Sequence, residues 1–243
     1  MRNYEEEYHG RVAFIQGKLK EAHADGIIFG NSGGKDSALV GILCKAACEN
    51  TVGIIMPCAS KRNYEADADD GNVLAEQFGI ETRTVDLTPV RSALVEELEK
   101  VTELNSSALT NLAPRLRMTT LYGIAAAENR LVAGTGNKSE IYMGYFTKWG
   151  DGGSDFNPIA DLTATEVFEF LEYLHAPRCI IDKAPSAGLF DGQTDEQEMG
   201  VTYAAIDRFL ATGEGEEKDL AVIKRYHDRS NHKRRMVPTY TEP

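Results

Sequence analysis

Short apolar runs recur along the chain, and a stretch with helical spacing follows each of them. The runs are Gly26-Ile27-Ile28-Phe29-Gly30, Val52-Gly53-Ile54-Ile55-Met56, Thr82-Arg83-Thr84-Val85-Asp86-Leu87 and Arg130-Leu131-Val132-Ala133-Gly134. Their brevity, β-branched content and Gly or Pro edges predict four strands rather than buried helices. After the first, Leu39, Val40, Ile42, Leu43 and Ala46 keep helical spacing. Leu74 and Phe78 precede Gly79, a helix stop. Thr88 is expected to cap a helix with Pro89 at its first position and Val90, Leu94, Leu98 and Val101 as its apolar stripe. A further helix is expected to begin near Pro114 and to carry Met118, Leu121, Tyr122 and Ala125. From Thr163 the pattern turns wholly helical. Thr163-Ala164-Thr165-Glu166 reads as a capping box ahead of Val167, Phe170, Leu171 and Leu174, and another helix covers Tyr203, Ile206, Phe209 and Leu210. Alternating strands and helices predict an α/β fold, a doubly wound and mainly parallel sheet with ligands at the carboxyl ends of its strands.

Composition narrows the function classes. With 26 Lys+Arg against 38 Asp+Glu the 243-residue chain carries a net charge of −12. Such a field repels phosphate backbones and argues against general nucleic-acid binding. No run approaches the length of a membrane span, and the polar, acidic stretch Met1–Gly10 is unlike a secretory leader. Cys44, Cys48, Cys58 and Cys179 are therefore expected to be reduced thiols, in a cytoplasmic protein. Cys44 and Cys48 read as small packed side chains rather than a metal pair. Against the acidic whole, residues 224–235 hold six Lys or Arg and one Asp, so this segment is either a solvated helix end or an anion contact.

The first predicted strand runs into Gly30-Asn31-Ser32-Gly33-Gly34-Lys35-Asp36-Ser37. A Gly-rich turn between strand and helix frees consecutive N–H groups at the positive end of a helix dipole, which makes a phosphate cradle. It is not a Walker A loop, because Phe29 and Asp36 break that pattern. An acid beside phosphates needs an intervening cation, so Asp36 reads as a Mg²⁺ ligand.

The Ser32–Ser37 segment resembles the SGGxDS loop of the ATP pyrophosphatases, enzymes that cleave ATP between its α- and β-phosphates. That resemblance leaves GMP, argininosuccinate, asparagine and NAD synthetases and tRNA-modifying enzymes open. Further motifs narrow it: Asn111–Met118, Gly134-Thr135-Gly136-Asn137-Lys138-Ser139-Glu140, Gly144–Asp155, Asn157-Pro158-Ile159, Lys183-Ala184-Pro185-Ser186-Ala187, Gln193–Glu196 and His232-Lys233-Arg234. In this order they resemble the ammonia-dependent NAD synthetase family over roughly residues 10–240.

The resemblance implies a single domain over residues 1–243 with an adenine-nucleotide α-hydrolase-like fold. It implies amidation of deamido-NAD by ammonia, with ATP as co-substrate and NAD, AMP and pyrophosphate as products. Gly30, Asn31, Ser32, Gly33, Gly34, Lys35, Asp36, Ser37, Thr135, Lys183 and Ser186 would bind ATP. Asp36 and Glu140 would hold Mg²⁺ and, with Lys183, carry the catalysis. Arg115 would meet deamido-NAD, and Lys148, Asp155, His232 and Lys233 would reach it from the second subunit of a homodimer. Trp149 reads as a wall of the site. Asn31 and Gly188 depart from the family pattern. Glutamine-using relatives carry an amidase domain ahead of the loop, and the roughly 30 residues here leave no room for one, so free ammonia is the expected donor. Two other readings are a GMP-synthetase-type amidating module, which would lack the Gly144–Asp155 and His232–Arg234 motifs, and a non-catalytic nucleotide-binding module, which would lack Asp36 or Glu140.

Overall fold

The computed structural model describes residues 2–59, 66–183 and 195–240. Strands β1 (Gly26–Gly30), β2 (Thr51–Ile55), β3 (Glu81–Thr84) and β4 (Arg130–Val132) pair in parallel in the order β3-β2-β1-β4. The chain runs outward from β1 to β3 and then returns to lay β4 on the other side of β1. The switch point therefore lies between β1 and β4, where the strand ends part and a ligand crevice opens.

Helices cover both faces, as the expected doubly wound fold requires. On one face α1 (Tyr4–Ala22), α2 (Lys35–Ala47), α3 (Ala66–Phe78), α7 (Ala164–Tyr173) and α8 (Arg178–Ile181) share a core with Ile27 and Phe29 of β1. On the other, α5 (Ser106–Glu128) packs Ala113, Leu121 and Ala125 against Ile28, Val52, Ile54 and Val132. Alternation along β1 thus divides its side chains between two cores. Helices α6 (Lys138–Met143), α9 (Asp195–Met199), α10 (Tyr203–Thr212) and α11 (Glu217–Arg229) enclose a third cluster around Met143, Tyr203, Ile206 and Ile223. Short α12 (Asn231–Arg234) follows α11.

Several local expectations are corrected. Thr88 is the first residue of α4 (Thr88–Glu99) rather than its side-chain cap; Asp86 instead accepts its N–H at 2.9 Å. No residue of α4 is buried, and Val90 is 50% exposed. Helix α5 begins eight residues before Pro114, because Asn105 caps it by accepting the Ala108 N–H at 2.9 Å, and the buried Pro114 sits inside it. The third strand ends at Thr84, although Val85 and Leu87 still donate to Ile55 and Pro57. Both the Thr163–Glu166 capping box and the Gly79 stop are present as read. Cys44 is buried and Cys48 half-buried, and both are free thiols.

Charge adds to the apolar hold on helix α1, where Ile15 is buried and Tyr4, Tyr8 and Leu19 pack against the core. The Arg11 guanidinium grips Asp161 through two N–H groups at 2.6 and 2.9 Å, donates to the Pro158 carbonyl, and pairs with Glu7 at 2.7 Å. Arg11 holds the Asp161 carboxyl below its ordinary 3.8. The pair thus stabilises the fold in full above the ordinary carboxylate range and loses that contribution as pH falls below 3.8. Because Asp161 is 57% exposed, solvent screening limits the effect. Asp161→Asn is expected to lower unfolding stability by about 1 kcal/mol at pH 7. In urea titrations of both proteins, that difference should close toward pH 3.

Candidate active site

The β1–α2 turn is held by hydrogen bonds of its own. Ser32 Oγ and Ser37 Oγ lie 2.9 Å apart, the Gly34 N–H donates to Ser32 Oγ, and Ser37 Oγ donates to the Gly34 carbonyl. Gly33 supplies the left-handed φ of +68° that bends the turn. Gly34 caps α2 without a side chain, so its first amides are left for an anion. Lys183 reaches over the turn: its Nζ donates to the Gly33 carbonyl at 3.2 Å and pairs with Asp70 at 2.7 Å. Lys35 donates to the Lys183 backbone carbonyl.

Asp36 stands in the first turn of α2 and Glu140 in the first turn of α6, each just beyond one of the two strands that flank the switch point. The protein around them restricts hydration, which pushes Asp36 up to about 6; Glu140 rises well above the ordinary carboxylate range, with the Asp36 charge adding to the same cause. Among the described residues no group of three or more His, Cys, Asp or Glu is disposed to hold a metal. The two hard oxygen donors fit Mg²⁺, which takes one or two carboxylates, keeps waters and binds substrate phosphates. A bound divalent ion would also relieve the repulsion that raises Glu140.

These groups open into one pocket of about 1270 Å³. It exceeds the roughly 300–1,000 Å³ of a pocket for one small ligand. From the expected set it is lined by Gly30, Asn31, Ser32, Gly34, Lys35, Asp36, Ser37, Thr135, Glu140, Lys183, His232 and Lys233. Gly33 turns its carbonyl to Lys183. The Asn31 amide points at α3 and donates to the Gly71 carbonyl at 2.9 Å. Ser186 lies outside the described residues.

The basic carboxyl-terminal segment is solvated along much of its length, but Lys233 and Arg234 are half-buried. Arg225, Arg229, His232, Lys233 and Arg234 all line the pocket of their own chain. Lys233 donates to the carbonyls of Gly144 and Phe146 at 2.8 and 2.6 Å, and Arg234 donates to that of Tyr142 at 3.1 Å and to Ser230 Oγ at 2.6 Å. These side chains hold the segment against the last turn of α6 and the residues that follow it. His232 and Lys233, expected to act from a second subunit, line the pocket within their own chain.

Arg115, Lys148 and Asp155 do not line the pocket. Arg115 rests 3.4 Å from the Lys148 carbonyl, and Lys148 Nζ donates to that of His232 at 2.8 Å. Asp155 accepts from the Tyr122 hydroxyl at 3.0 Å and the Val132 N–H at 2.8 Å, which ties α5 to β4. Trp149 is 59% exposed beside Lys148 instead of walling the site.

Residue-level reading of the sequence missed an acidic wall. Buried Asp195 accepts from the Tyr203 hydroxyl at 3.3 Å, the Tyr145 hydroxyl donates to Glu198 at 2.6 Å, and all four residues line the pocket. The Asp195 charge reaches both Asp36 and Glu140 and helps raise them. Its position within the Gln193–Glu196 motif was the available signal.

The sequence matches the NAD synthase family over residues 7–239. The chain belongs to that family. Among NAD synthase relatives, the NH(3)-dependent NAD(+) synthetase of Carboxydothermus hydrogenoformans is 50% identical over 96% of both chains. Two solved structures share the fold across all of both chains. NMN synthetase from Francisella tularensis superposes with a TM-score of 0.94 at 39% identity. The NH3-dependent NAD synthetase from Campylobacter jejuni superposes with 0.81 at 29%. The sheet flanked by helices is accordingly the adenine-nucleotide α-hydrolase-like fold of NAD synthases.

Proposed function

We propose that the chain amidates deamido-NAD with ammonia at the cost of ATP, releasing NAD, AMP and pyrophosphate. The observation that carries this reading is the meeting, at one switch point, of a phosphate cradle, a carboxylate pair and a basic segment in a pocket large enough for two nucleotides. In the first step a nicotinate carboxylate oxygen attacks the α-phosphorus of ATP and pyrophosphate leaves. The α2 amides, Ser32, Ser37 and Lys183 hold the departing phosphates in place. Mg²⁺ held by Asp36 and Glu140 would supply charge neutralisation on those phosphates. Ammonia then adds to the acyl carbon, and AMP leaves with the carboxylate oxygen while a proton is lost from nitrogen. Exclusion of water from the pocket at this stage would protect the acyl-adenylate from hydrolysis.

Thr135 and Ser186 complete the ATP contacts in this reading, and His232 and Lys233 meet the anionic nicotinate nucleotide. Arg115, Lys148 and Asp155 sit on the rim, where a second copy could bring substrate against them. Four free cysteines, together with the lack of any described helix long and apolar enough to cross a membrane, support a cytoplasmic setting.

A second reading keeps the chemistry and shortens the substrate to nicotinate mononucleotide, giving NMN. The TM-score of 0.94 to the Francisella NMN synthetase favours it. Both nucleotides present the same carboxylate, so one assay separates the readings. With Mg·ATP and ammonium, deamido-NAD is expected to give a kcat/KM at least about tenfold above nicotinate mononucleotide, a difference of about 1.4 kcal/mol in transition-state binding. The reverse ratio would establish the second reading. Neither product with either nucleotide would overturn both. Glutamine in place of ammonium is expected to give none.

A further inference from the structure

Asn137 is 2% exposed and stands at the N-cap of α6, between the two carboxylates of the site. Its Oδ1 accepts the Glu140 N–H at 3.0 Å, and its own N–H donates to Glu140 Oε2 at 3.0 Å. Its Nδ2 reaches across the switch point and donates to Asp36 Oδ1 at 2.9 Å. The amide can take only this orientation, since turning it over would set NH₂ against an N–H and a carbonyl against a carboxylate.

Helix capping alone does not call for asparagine. Asn, Asp and Ser are nearly equal as N-caps, and Thr is only slightly poorer. Asp and a deprotonated partner would repel, while Ser and Thr are too short to span to Asp36 and still accept the Glu140 N–H. Only an amide accepts from one carboxylate-bearing turn and donates to the other. The turn that carries it is anchored independently: the Lys138 N–H donates to the Leu162 carbonyl at 2.7 Å, and Ser139 Oγ donates to the buried Asp207 at 2.5 Å. Asp207 also accepts the N–H and hydroxyl of Thr165 at 2.8 and 2.6 Å, which fixes α6 to α7.

We infer that Asn137 is a positioning residue that sets the spacing and aim of Asp36 and Glu140 toward a divalent cation. The inference rests on the metal role given to those two carboxylates above. Each commits one oxygen to Asn137, and Glu140 Oε1 takes no hydrogen bond among the described residues. Outer partners of this kind hold ligand carboxylates in register, and their loss typically lowers metal affinity about 10–100-fold.

The test uses Asn137→Ser and Asn137→Thr, which keep the cap and remove the bridge. ATP affinity is measured calorimetrically on the full chain, without divalent ion and with Mn²⁺, in the absence of the nicotinate nucleotide. In the parent protein Mn²⁺ is expected to tighten ATP. In both variants that gain should shrink by at least about tenfold, with metal-free ATP affinity close to the parent and a somewhat lowered thermal midpoint. A parent protein showing no Mn²⁺-linked gain would overturn the metal role itself. A gain retained in the variants would overturn only the positioning role of Asn137. If neither variant folds, the cap cannot be separated from the bridge, and the inference falls as well.

Discussion

Asp36→Asn is expected to abolish turnover while leaving a protein that is more stable, not less, at alkaline pH. The substitution keeps the shape and still offers an oxygen to the Asn137 amide, which reaches Asp36 Oδ1 at 2.9 Å. It removes the charge that would hold the cation against the phosphates. Loss of one preorganised electrostatic group at the reacting centre costs on the order of 10²–10³ in kcat, and loss of a metal charge should reach at least the upper end. The stability sign follows from burial. Asp36 is raised to about 6 in the fold, above its ordinary 3.8. Its protonated form therefore favours folding, a contribution present at low pH and lost as pH rises through about 6. Asparagine mimics the protonated form at every pH. The thermal midpoint of the ligand-free variant should match the parent near pH 4 and exceed it near pH 8. A parent-like rate of NAD formation in the variant would defeat the metal assignment; a lower midpoint at pH 8 would defeat the electrostatic account of the site.

The largest structural effect is expected at Gly144. It ends α6 in the left-handed region at φ +66°, and its N–H donates back to the Glu140 and Ile141 carbonyls. A Cβ there would overlap the side chain of Ser230. Ser230 is buried and donates to the Met143 and Tyr226 carbonyls at 3.2 and 2.6 Å. Gly144→Ala thus adds an αL penalty to a steric overlap, together about 2–4 kcal/mol. The cost is not confined to folding. Ser230 begins the turn that carries His232 and Lys233 into the pocket, so KM for the nicotinate nucleotide should rise by about tenfold or more, while ATP binding to the β1–α2 turn changes little. Adding Ser230→Gly should recover part of the stability loss, because the two side chains then no longer compete for one space. Urea unfolding of the single and double variants, with KM for each substrate, reads all three effects. Additive losses would show that the overlap is not the cause.

Both predictions draw on features that differ in how openly the sequence carries them. The four strands were legible because each is a short β-branched run ended by Gly or a turn. The cradle was legible because two serines, two glycines and an Asp in order have few other uses. Local signals failed where tertiary contacts decided the outcome. Helix α1 buries only Arg11 and Ile15 and so shows no apolar stripe; Tyr4, Tyr8 and Leu19 pack partly against the core and ion pairs add to their hold. The α4 stripe is apolar, yet no residue of the helix is buried: Leu94 and Leu98 are half-buried and Val90 is exposed. Pro114 read as a helix start because a proline usually is one, but the Asn105 cap lies further upstream and buried packing tolerates the ring.

The site divides in the same way. Asp36, Glu140 and the loop meet because adjacent strand ends bring them together, which fold class alone foretold; Lys183 reaches them from beyond α8. Asp195, the Asn137 bridge and the docking of Lys233 onto α6 depend on which carbonyl or carboxylate each finds across the fold, and spacing along the chain does not encode that. Arg115, Lys148 and Asp155 are the converse case, motif residues whose side chains satisfy neighbours at the rim rather than the pocket.

The claim on which everything else rests is that this site activates a carboxylate by attack on the α-phosphorus of ATP. Following ¹⁸O from a labelled nicotinate carboxylate tests it directly. Deamido-NAD labelled in both carboxylate oxygens, turned over with ATP, Mg²⁺ and ammonium, should give AMP carrying one ¹⁸O and pyrophosphate carrying none, as read by mass spectrometry. Unlabelled AMP, or ADP and phosphate in place of AMP and pyrophosphate, would contradict it.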